Sequence, residues 1–503
     1  MTEIELKLLV PGRELGAIFE LDAVKRRARG APAEKRLVSV YYDTPEGDLR
    51  AHRIALRLRQ DGARWVQTLK GGGIASAGLH QRDEFEWQVP SRRLDLGVLA
   101  STRYAQLFAK QRIARALRPV FTTRFLRVVQ PLQFDDGTTT ELCADSGTIR
   151  AGPKREPISE IEIELVTGDP LRLFELSHEL EGKISFRLGH LSKAERGYAL
   201  FDGELSRPQK AGSIVIERTA PALAALRKIA TASLAQIQAN EAGFLSGSDP
   251  EFLHQMRVGL RRLRVALGMP DDPAWRKVLE PLRAELRWLS SVLGPARNWD
   301  VYLTEILPPL ARHFAGSSAL AAFRSRCRRL RRRHVAAARD AVFSSRYTNL
   351  LLELGALLAR ESWPGVPGLG AAEFAQAVVA RRDRKLRRRL DDLARAAPEE
   401  RHRARIAAKK LRYCAEFFAS LYTKRKVKRY VDALSELQDA LGAINDAQAG
   451  AQMTEQAAMG ARTRADPRIV GMVLGWMAAN DARAIAALGR VCGEFAKQKS
   501  FWV

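Results

Sequence analysis

Glu3, Glu5 and Lys7 occupy alternate positions in E-I-E-L-K, with Ile4, Leu6 and Leu8 between and after them. That is the period of a β-strand, so the three charges share one face. The device returns in I-S-E-I-E-I-E-L, which puts Glu160, Glu162 and Glu164 on one face and Ile161, Ile163 and Leu165 on the other. Between these runs, A-L-R-L-R aligns Arg57 with Arg59, Lys70 ends W-V-Q-T-L-K, Arg82, Glu84 and Glu86 share a face, and Arg124 lies in T-R-F-L-R-V-V. Taken singly, each face could be the solvated side of a sheet. Taken together, carboxylates and cations are segregated strand by strand, and like charges on neighbouring positions repel unless something opposes them. A divalent cation suits the carboxylate oxygens. A chain of phosphates suits the arginines and lysines. A closed sheet with its charged faces turned inward around a polar tunnel satisfies both.

Such a sheet needs many short strands. Residues 1–205 supply them, with helical interruptions and turn-forming groups such as P-E-G-D and K-G-G-G. A closed antiparallel barrel follows. Residues 206–216, with S-R-P-Q-K-A-G-S, read as a linker, and 217–503 as an all-helical domain rich in Ala, Leu and Arg. The expected fold class is therefore α+β and multidomain, an N-terminal eight-stranded antiparallel barrel tunnel followed by a duplicated helical bundle. The run S-W-P-G-V-P-G-L-G at 362–370 divides that bundle into repeats of about 217–362 and 371–503.

The repeats share a constant offset. H-Q-M-R-V-G-L-R-R-L-R begins at His254 and H-R-A-R-I-A-A-K-K-L-R at His402, and the same 148 residues carry Leu286 to Leu434, Leu289 to Leu437, Leu293 to Leu441 and Gly294 to Gly442. Two bundles about a pseudo-two-fold axis are expected. His254, Arg257, Arg261 and Arg264 are spaced 3, 4 and 3 apart, which is one stripe of a helix, and His402, Arg405, Lys409 and Arg412 repeat it. Met256, Leu260, Leu263 and Leu267 form the adjacent apolar stripe. One such ridge could be a solvated face paired with Asp300, Asp439 or Asp446. Two of them facing each other would make a basic channel for a polyanion. Neither histidine has a second His or Cys at ligand spacing, which argues against metal there.

The charge distribution agrees. Of 503 residues and a net charge of +26, residues 1–200 hold 32 basic against 27 acidic residues, and residues 201–503 hold 51 against 30. A polyanion is the natural partner of the second half. Its basic stripes have little aromatic interleaving and no recognisable nucleic-acid motif, so nucleic acid is not expected. Four scattered cysteines without a C-x-x-C pair exclude a zinc framework and fit a reducing, cytoplasmic setting. No apolar signal stretch follows Met1, and the longest apolar run, 469–479, is too short to span a bilayer, so no membrane partner is expected.

E-I-E-L-K resembles the ExExK signature of the CYTH, or triphosphate tunnel metalloenzyme, superfamily. The likeness continues in order through Y-Y-D-T (41–44), L-R-L-R (56–59), Q-T-L-K-G (67–71), G-L-H-Q-R-D-E-F-E (78–86), E-I-E-I-E-L (160–165) and S-K-A-E-R-G-Y (192–198). The helical half resembles the CHAD domain, and the combination resembles bacterial CYTH–CHAD inorganic triphosphatases. The resemblance implies an eight-stranded tunnel that hydrolyses inorganic triphosphate to diphosphate and phosphate with Mg2+ or Mn2+. It implies metal at Glu3, Glu5, Glu162 and Glu164, with Glu160 a further candidate and Glu84 at a second metal or a water. Lys7, Arg57, Arg59, Lys70, Arg82, Arg124 and Lys193 would bind phosphate oxygens, with Arg196 and Asp145 weaker candidates. Glu3, Glu5 and Lys7 would be the catalytic group, Lys7 serving as base only with a lowered pKa. Inorganic polyphosphate would bind the two histidine stripes, and association with polyphosphate granules would follow. The alternatives are a non-catalytic polyphosphate-binding protein, or a triphosphatase for thiamine triphosphate or a nucleotide.

Overall fold

The computed structural model describes residues 2–203, 207–314, 316–366, 368–459 and 465–502. Ser206 of the expected linker and Pro367 of the expected inter-repeat loop lie outside the described residues. The chain forms two compact units, Met1–Pro208 with Phe343–Arg360, and Gln209–Val342 with Glu361–Val503.

In the first unit, eight strands close on themselves. They are β1 (Thr2–Leu9), β2 (Ala33–Asp43), β3 (Ile54–Asp61), β4 (Arg64–Ser76), β5 (Leu79–Val89), β6 (Arg118–Gln133), β7 (Thr139–Ala151) and β8 (Lys154–Thr167). Antiparallel pairing runs β1-β5-β4-β3-β2-β6-β7-β8 and returns to β1. A two-residue strand, β9 (Arg187–Leu188), joins β1 at Leu8 and Leu9.

The barrel is inverted, as the alternation requires. Leu6, Leu8, Leu56, Leu58, Ile161 and Ile163 are fully buried on its outside. Leu56 and Leu69 pack against Leu99, Leu107, Phe108 and Ile113 from the β5–β6 connection, and the helix Leu171–Leu180 covers β1 and β8. Each buried Leu or Ile stabilises by roughly 1.5–3 kcal/mol, whereas buried ion pairs roughly break even. The apolar outside therefore holds the barrel together, and the charged inside is free to serve something else. Between β4 and β5 the register slips from Gly71 to Ile74. At that bulge Gly73 has φ +95°, and a Cβ there would stand 2.1 Å from the Gln81 carbonyl oxygen. Only glycine fits.

One end of the barrel is filled. Leu37, Tyr41, Phe121, Phe125, Ile149, Ala151 and Ile158 meet Tyr198 of the helix Lys193–Asp202 in an apolar cluster. Phe121 stacks on Tyr41 at 4.5 Å and meets Tyr198 edge-on at 5.1 Å. The helix starts at a capping box. The Ser192 hydroxyl accepts from the Glu195 amide, and the Glu195 carboxylate accepts from the Ser192 amide. That box fixes Lys193 and Arg196 over the barrel end.

The helix Ser345–Ala359, from within the span expected for the helical domain, groups with the barrel unit and packs on Leu171–Leu180 and β9.

In the second unit the helices Ala222–Ala239, Pro250–Leu267 and Pro273–Val301 recur in order as Ala371–Arg387, Pro398–Phe417 and Lys424–Met459. The first helix of one repeat packs on the first of the other, and the second on the second. Like-with-like contact is what a two-fold relation produces. Leu286, Leu289 and Leu293 and their equivalents Leu434, Leu437 and Leu441 are all buried.

Gly197 lies under Phe121, where a Cβ would be 2.2 Å from the ring. Gly197→Ala should destabilise the barrel by about 1–3 kcal/mol despite its ~1 kcal/mol helical gain, read as a shift in the urea-unfolding midpoint.

Candidate functional site

The barrel interior holds a cavity of about 230 Å³ whose walls are mostly charged. Next to the filled end, four cations meet three carboxylates. Lys7 lies opposite Glu162 in the β1–β8 register. Its ammonium donates to Glu162 and, at 3.2 Å, to Glu160, and stands 3.6 Å from Glu5. Lys193 reaches Asp145 at 2.6 Å, Glu160 at 2.5 Å and Glu162 at 3.0 Å. Arg127 grips Asp145 through two nitrogens at 2.7 and 2.6 Å and also donates to Glu162. Arg196 donates to Glu160 at 2.7 Å and Glu156 at 2.6 Å. Burial alone would raise the Glu162 carboxyl, but Lys193, Lys7 and Arg127 outweigh it and hold it well below the usual range. Burial would likewise lower Lys7, and Glu160, Glu162 and Glu5 outweigh it, so Lys7 is held well above its ordinary value. A lysine held protonated is a cation for phosphate, not a base.

Further along, cations and carboxylates alternate more loosely. Lys70 bonds both Glu3 oxygens at 2.7 Å and stands 3.1 Å from Glu84. Arg57 lies 3.6 Å from Glu84, and Arg59 donates to Glu86 at 2.8 Å. Arg82 bonds the His80 ring at 2.9 Å and Glu195 at 3.1 Å. Glu164 differs from these. It faces Glu5 directly across the β1–β8 ladder. Burial, then Glu3 and Glu5, push its carboxyl up to about 7 against the weaker pull of Lys70.

Among the described residues one acidic group has the spacing to hold a metal. Asp145, Glu160 and Glu162 offer oxygens within 4.8 Å of one another. That trio is already neutralised by Lys7, Lys193, Arg127 and Arg196. Glu5 and Glu164 face each other across β1 and β8, while both Glu3 oxygens accept from Lys70.

In the second unit the two stripe helices pack on each other, and their cations crowd together. Arg261 stands 3.4 Å from the Tyr413 hydroxyl. Burial, Arg405 and Arg261 push Lys409 down to about 7. Burial, Arg261 and Arg297 push Arg257 down to about 10, and burial and Arg297 push His254 down to about 4. A neighbouring cavity of about 530 Å³ is lined by Arg261, Arg264, Arg283, Arg287, Arg382 and Lys409 over an apolar floor that includes Leu279 and Leu286. Burial is the main cause of each shift, and the neighbouring cations add to it. Of the acids that could have paired with the stripes, Asp446 is 3.8 Å from Arg405, while Asp300 pairs with Arg331 at 2.5 Å. Arg412 is paired with Glu416 at 3.0 Å, and His402 is exposed.

Residues 1–198 match the CYTH domain and residues 228–455 the CHAD domain. The chain pairs a CYTH domain with a CHAD domain. An inorganic triphosphatase of Haemophilus influenzae is 34% identical over 164 residues, covering 33% of this chain and 46% of that protein, so the match spans about half of that relative's length. An uncharacterized protein of Mycobacterium tuberculosis is 27% identical over 477 residues, 87% of this chain and 86% of that one. A crystal structure of the CHAD domain from the plant Ricinus communis aligns with TM-score 0.51 and 30% identity, covering 57% of this chain and 96% of that chain.

Most expected CYTH residues share the cavity. Glu3, Glu5, Lys7, Arg57, Arg59, Lys70, Arg82, Glu84, Glu162, Glu164 and Lys193 line it. One expectation changes. Arg124 is exposed on the outer face, and Arg127 occupies the interior in its place. T-R-F-L-R-V-V carries arginines of opposite parity, and only the inward Phe125 reveals which one turns in. Glu162, expected beside Glu164 as a metal ligand, belongs to the acidic trio with Asp145 and Glu160 and is paired with Lys7, Lys193 and Arg127. Lys35, Asp61 and Glu141 also point inward; Asp61 follows the parity of Arg57 and Arg59, and Glu141 that of Asp145, so alternation could have found both, whereas Lys35 lies between Glu34 and Arg36 and has no such signal.

Below about pH 7 Glu164 carries a proton that a metal must displace. Mn2+ affinity, followed by electron paramagnetic resonance, should rise with pH through that value and level off above it, and Glu164→Gln should remove the step. In the same window, from the ordinary carboxylate range up to about 7, the native state holds a proton the unfolded chain has lost, so this residue's contribution to stability falls as pH rises.

Proposed function

We propose that the CYTH barrel hydrolyses inorganic triphosphate to diphosphate and phosphate with a divalent metal, and that the CHAD cleft binds inorganic polyphosphate. The observation that carries the first part is one cavity in which the carboxylates Glu3, Glu5 and Glu164 lie beside cations from six strands and one helix. Phosphoryl transfer asks a protein mainly for charge neutralisation and alignment, and this cavity offers both. Lys7, Arg127 and Lys193 would hold one end of the phosphate chain. Arg57, Arg59, Lys70 and Arg82 would hold the other. Glu3, Glu5 and Glu164 would hold Mg2+ or Mn2+. When bound, the metal would screen phosphate charge and lower the pKa of a coordinated water. Glu84, tied to Lys70, would help orient water.

The size and charge of the cavity favour a bare phosphate chain over thiamine triphosphate or a nucleotide, which would need room and an apolar face for an organic group. Intact, ordered charge pairing within the barrel speaks against a purely binding protein. The crowded cations of the CHAD cleft, with Arg257, Arg261, Arg405 and Lys409 at their centre and His254, Arg264, His402 and Arg412 flanking, support a polyanion as its ligand. No helix among the described residues is long and apolar enough to cross a membrane. A cytoplasmic location, with association to polyphosphate granules, is part of the same proposal.

Phosphate release from triphosphate, beside thiamine triphosphate, ATP and long-chain polyphosphate, tests the reading. Glu5→Gln should abolish release. Arg127→Ala should cost about 10²-fold, the scale of one lost oxyanion donor, and Arg124→Ala should stay within about twofold, as surface changes usually do. No turnover of any substrate by the wild type, with polyphosphate bound tightly, would overturn the enzymatic part.

For the CHAD cleft, an anion that repairs the Lys409 environment must bring a proton to it above about pH 7. Polyphosphate affinity should then fall as pH rises beyond that value. Calorimetry in two buffers of different ionisation enthalpy should show proton uptake at pH 8, and Lys409→Met should abolish the uptake.

A further inference from the structure

The backbone of Lys7 is clamped on both sides. Its amide donates to the Gly78 carbonyl at 2.9 Å, and its carbonyl accepts from the Gly189 amide at 2.8 Å. The clamps are close-fitting. A Cβ on Gly189 would stand 2.7 Å from Lys7 Cγ, and one on Gly78 would stand 3.2 Å from the Lys7 carbonyl oxygen. The His80 ring bonds the Gly189 carbonyl at 2.9 Å from the same side. Neither clamp is a relaxed strand. Ala77, fully buried beside Gly78, has φ +54°, a conformation an alanine keeps only under outside constraint. Gly189 follows the two-residue β9.

Both clamps lie under one helix. Ser345–Ala359 packs against β9 and against Leu171–Leu180. At Gly355 the approach is so close that a Cβ would be 2.7 Å from the Ala77 methyl and 2.3 Å from the Phe174 ring. Its middle turns carry polar contacts, Asn349 donating to Glu181 and Glu353 standing 3.4 Å from His178. Just before it, Phe343 lies under the Arg187 guanidinium at 4.6 Å. The chain leaves the helical unit at Val342 to make this helix and returns to it at Glu361.

We propose that the Ser345–Ala359 helix is a positioning element of the barrel site, holding the turn at Ala77 and Gly78 and the segment after β9 so that Lys7 is presented to the cavity. Gly355 and Phe174 act through the backbone of Lys7 and touch no substrate. The part played by Lys7 in turnover rests on the triphosphatase reading, whereas the clamping does not.

The test uses the full chain and native-state hydrogen exchange, in Gly355→Ala and in Asn349→Ala, which removes the bond to Glu181 without adding volume. The Lys7 and Gly189 amides should exchange at least about tenfold faster than in the wild type, as expected when a local restraint is lost, while the amides of β6 and β7 keep their rates. Triphosphate turnover should slow in parallel, through kcat more than KM. Faster exchange within Ser345–Ala359 with unchanged Lys7 and Gly189 amides would overturn the proposal. If Gly355→Ala also accelerates β6 and β7, its fold is lost, and Asn349→Ala then decides by the same criterion. Accelerated clamps in a chain whose wild type never cleaves triphosphate would keep the positioning element and reject only the triphosphatase.

Discussion

Charge balance inside a closed sheet governs the barrel. An ion taken out of water costs several kcal/mol unless opposed at contact distance, and the interior carries charge on every strand, with cationic and acidic strands brought side by side. The fold meets that demand by register. Antiparallel pairing brings Lys7 opposite Glu162, Arg127 opposite Asp145 and Lys70 opposite Glu84. The capping box then adds Lys193 and Arg196 from outside the sheet. Where the balance is met, the site is rigid and electrically quiet. The balance is poorest where Glu5 and Glu164 face each other across β1 and β8, which pushes the Glu164 carboxyl up.

Strand periodicity made much of this legible. Charge at every second residue with Leu or Ile between can be stable only if one face is buried in apolar surroundings and the other is wet or ionically paired, and the Leu56–Arg57–Leu58–Arg59 run follows that rule to the letter. It failed where both parities carried plausible residues. In the Arg124–Arg127 run, Thr and Arg alternate with Phe and Val closely enough that the tertiary partner, Asp145, decides the phase. Glu162 could not be told from Glu164 on one strand, since their difference lies in which cations reach them from β6 and from the helix after Ser192. The helix Ser345–Ala359 was invisible for another reason. Its pattern is apolar nearly all round, which announces burial but not against what.

The CHAD half follows a different economy. Its offset of 148 residues was readable because helix packing repeats with the sequence, and like-with-like contacts answer that repeat. The copies nonetheless differ where charge matters. Arg297 and Asn298 in the first repeat correspond to Asn445 and Asp446 in the second. Arg257 thus has a further arginine for a neighbour while Arg405 has a carboxylate. The repeats are alike in their helices and uneven in charge, with the extra arginine on the side of the first repeat.

The aromatic cluster of Tyr41, Phe121 and Tyr198 fills one end of the barrel interior. Under the proposed reading, a phosphate chain would enter from the other end and stop where its leading end met Lys7, Lys193 and Arg127. The depth of the cavity would then act as a ruler on chain length, and a spent chain would have to back out before the next could enter.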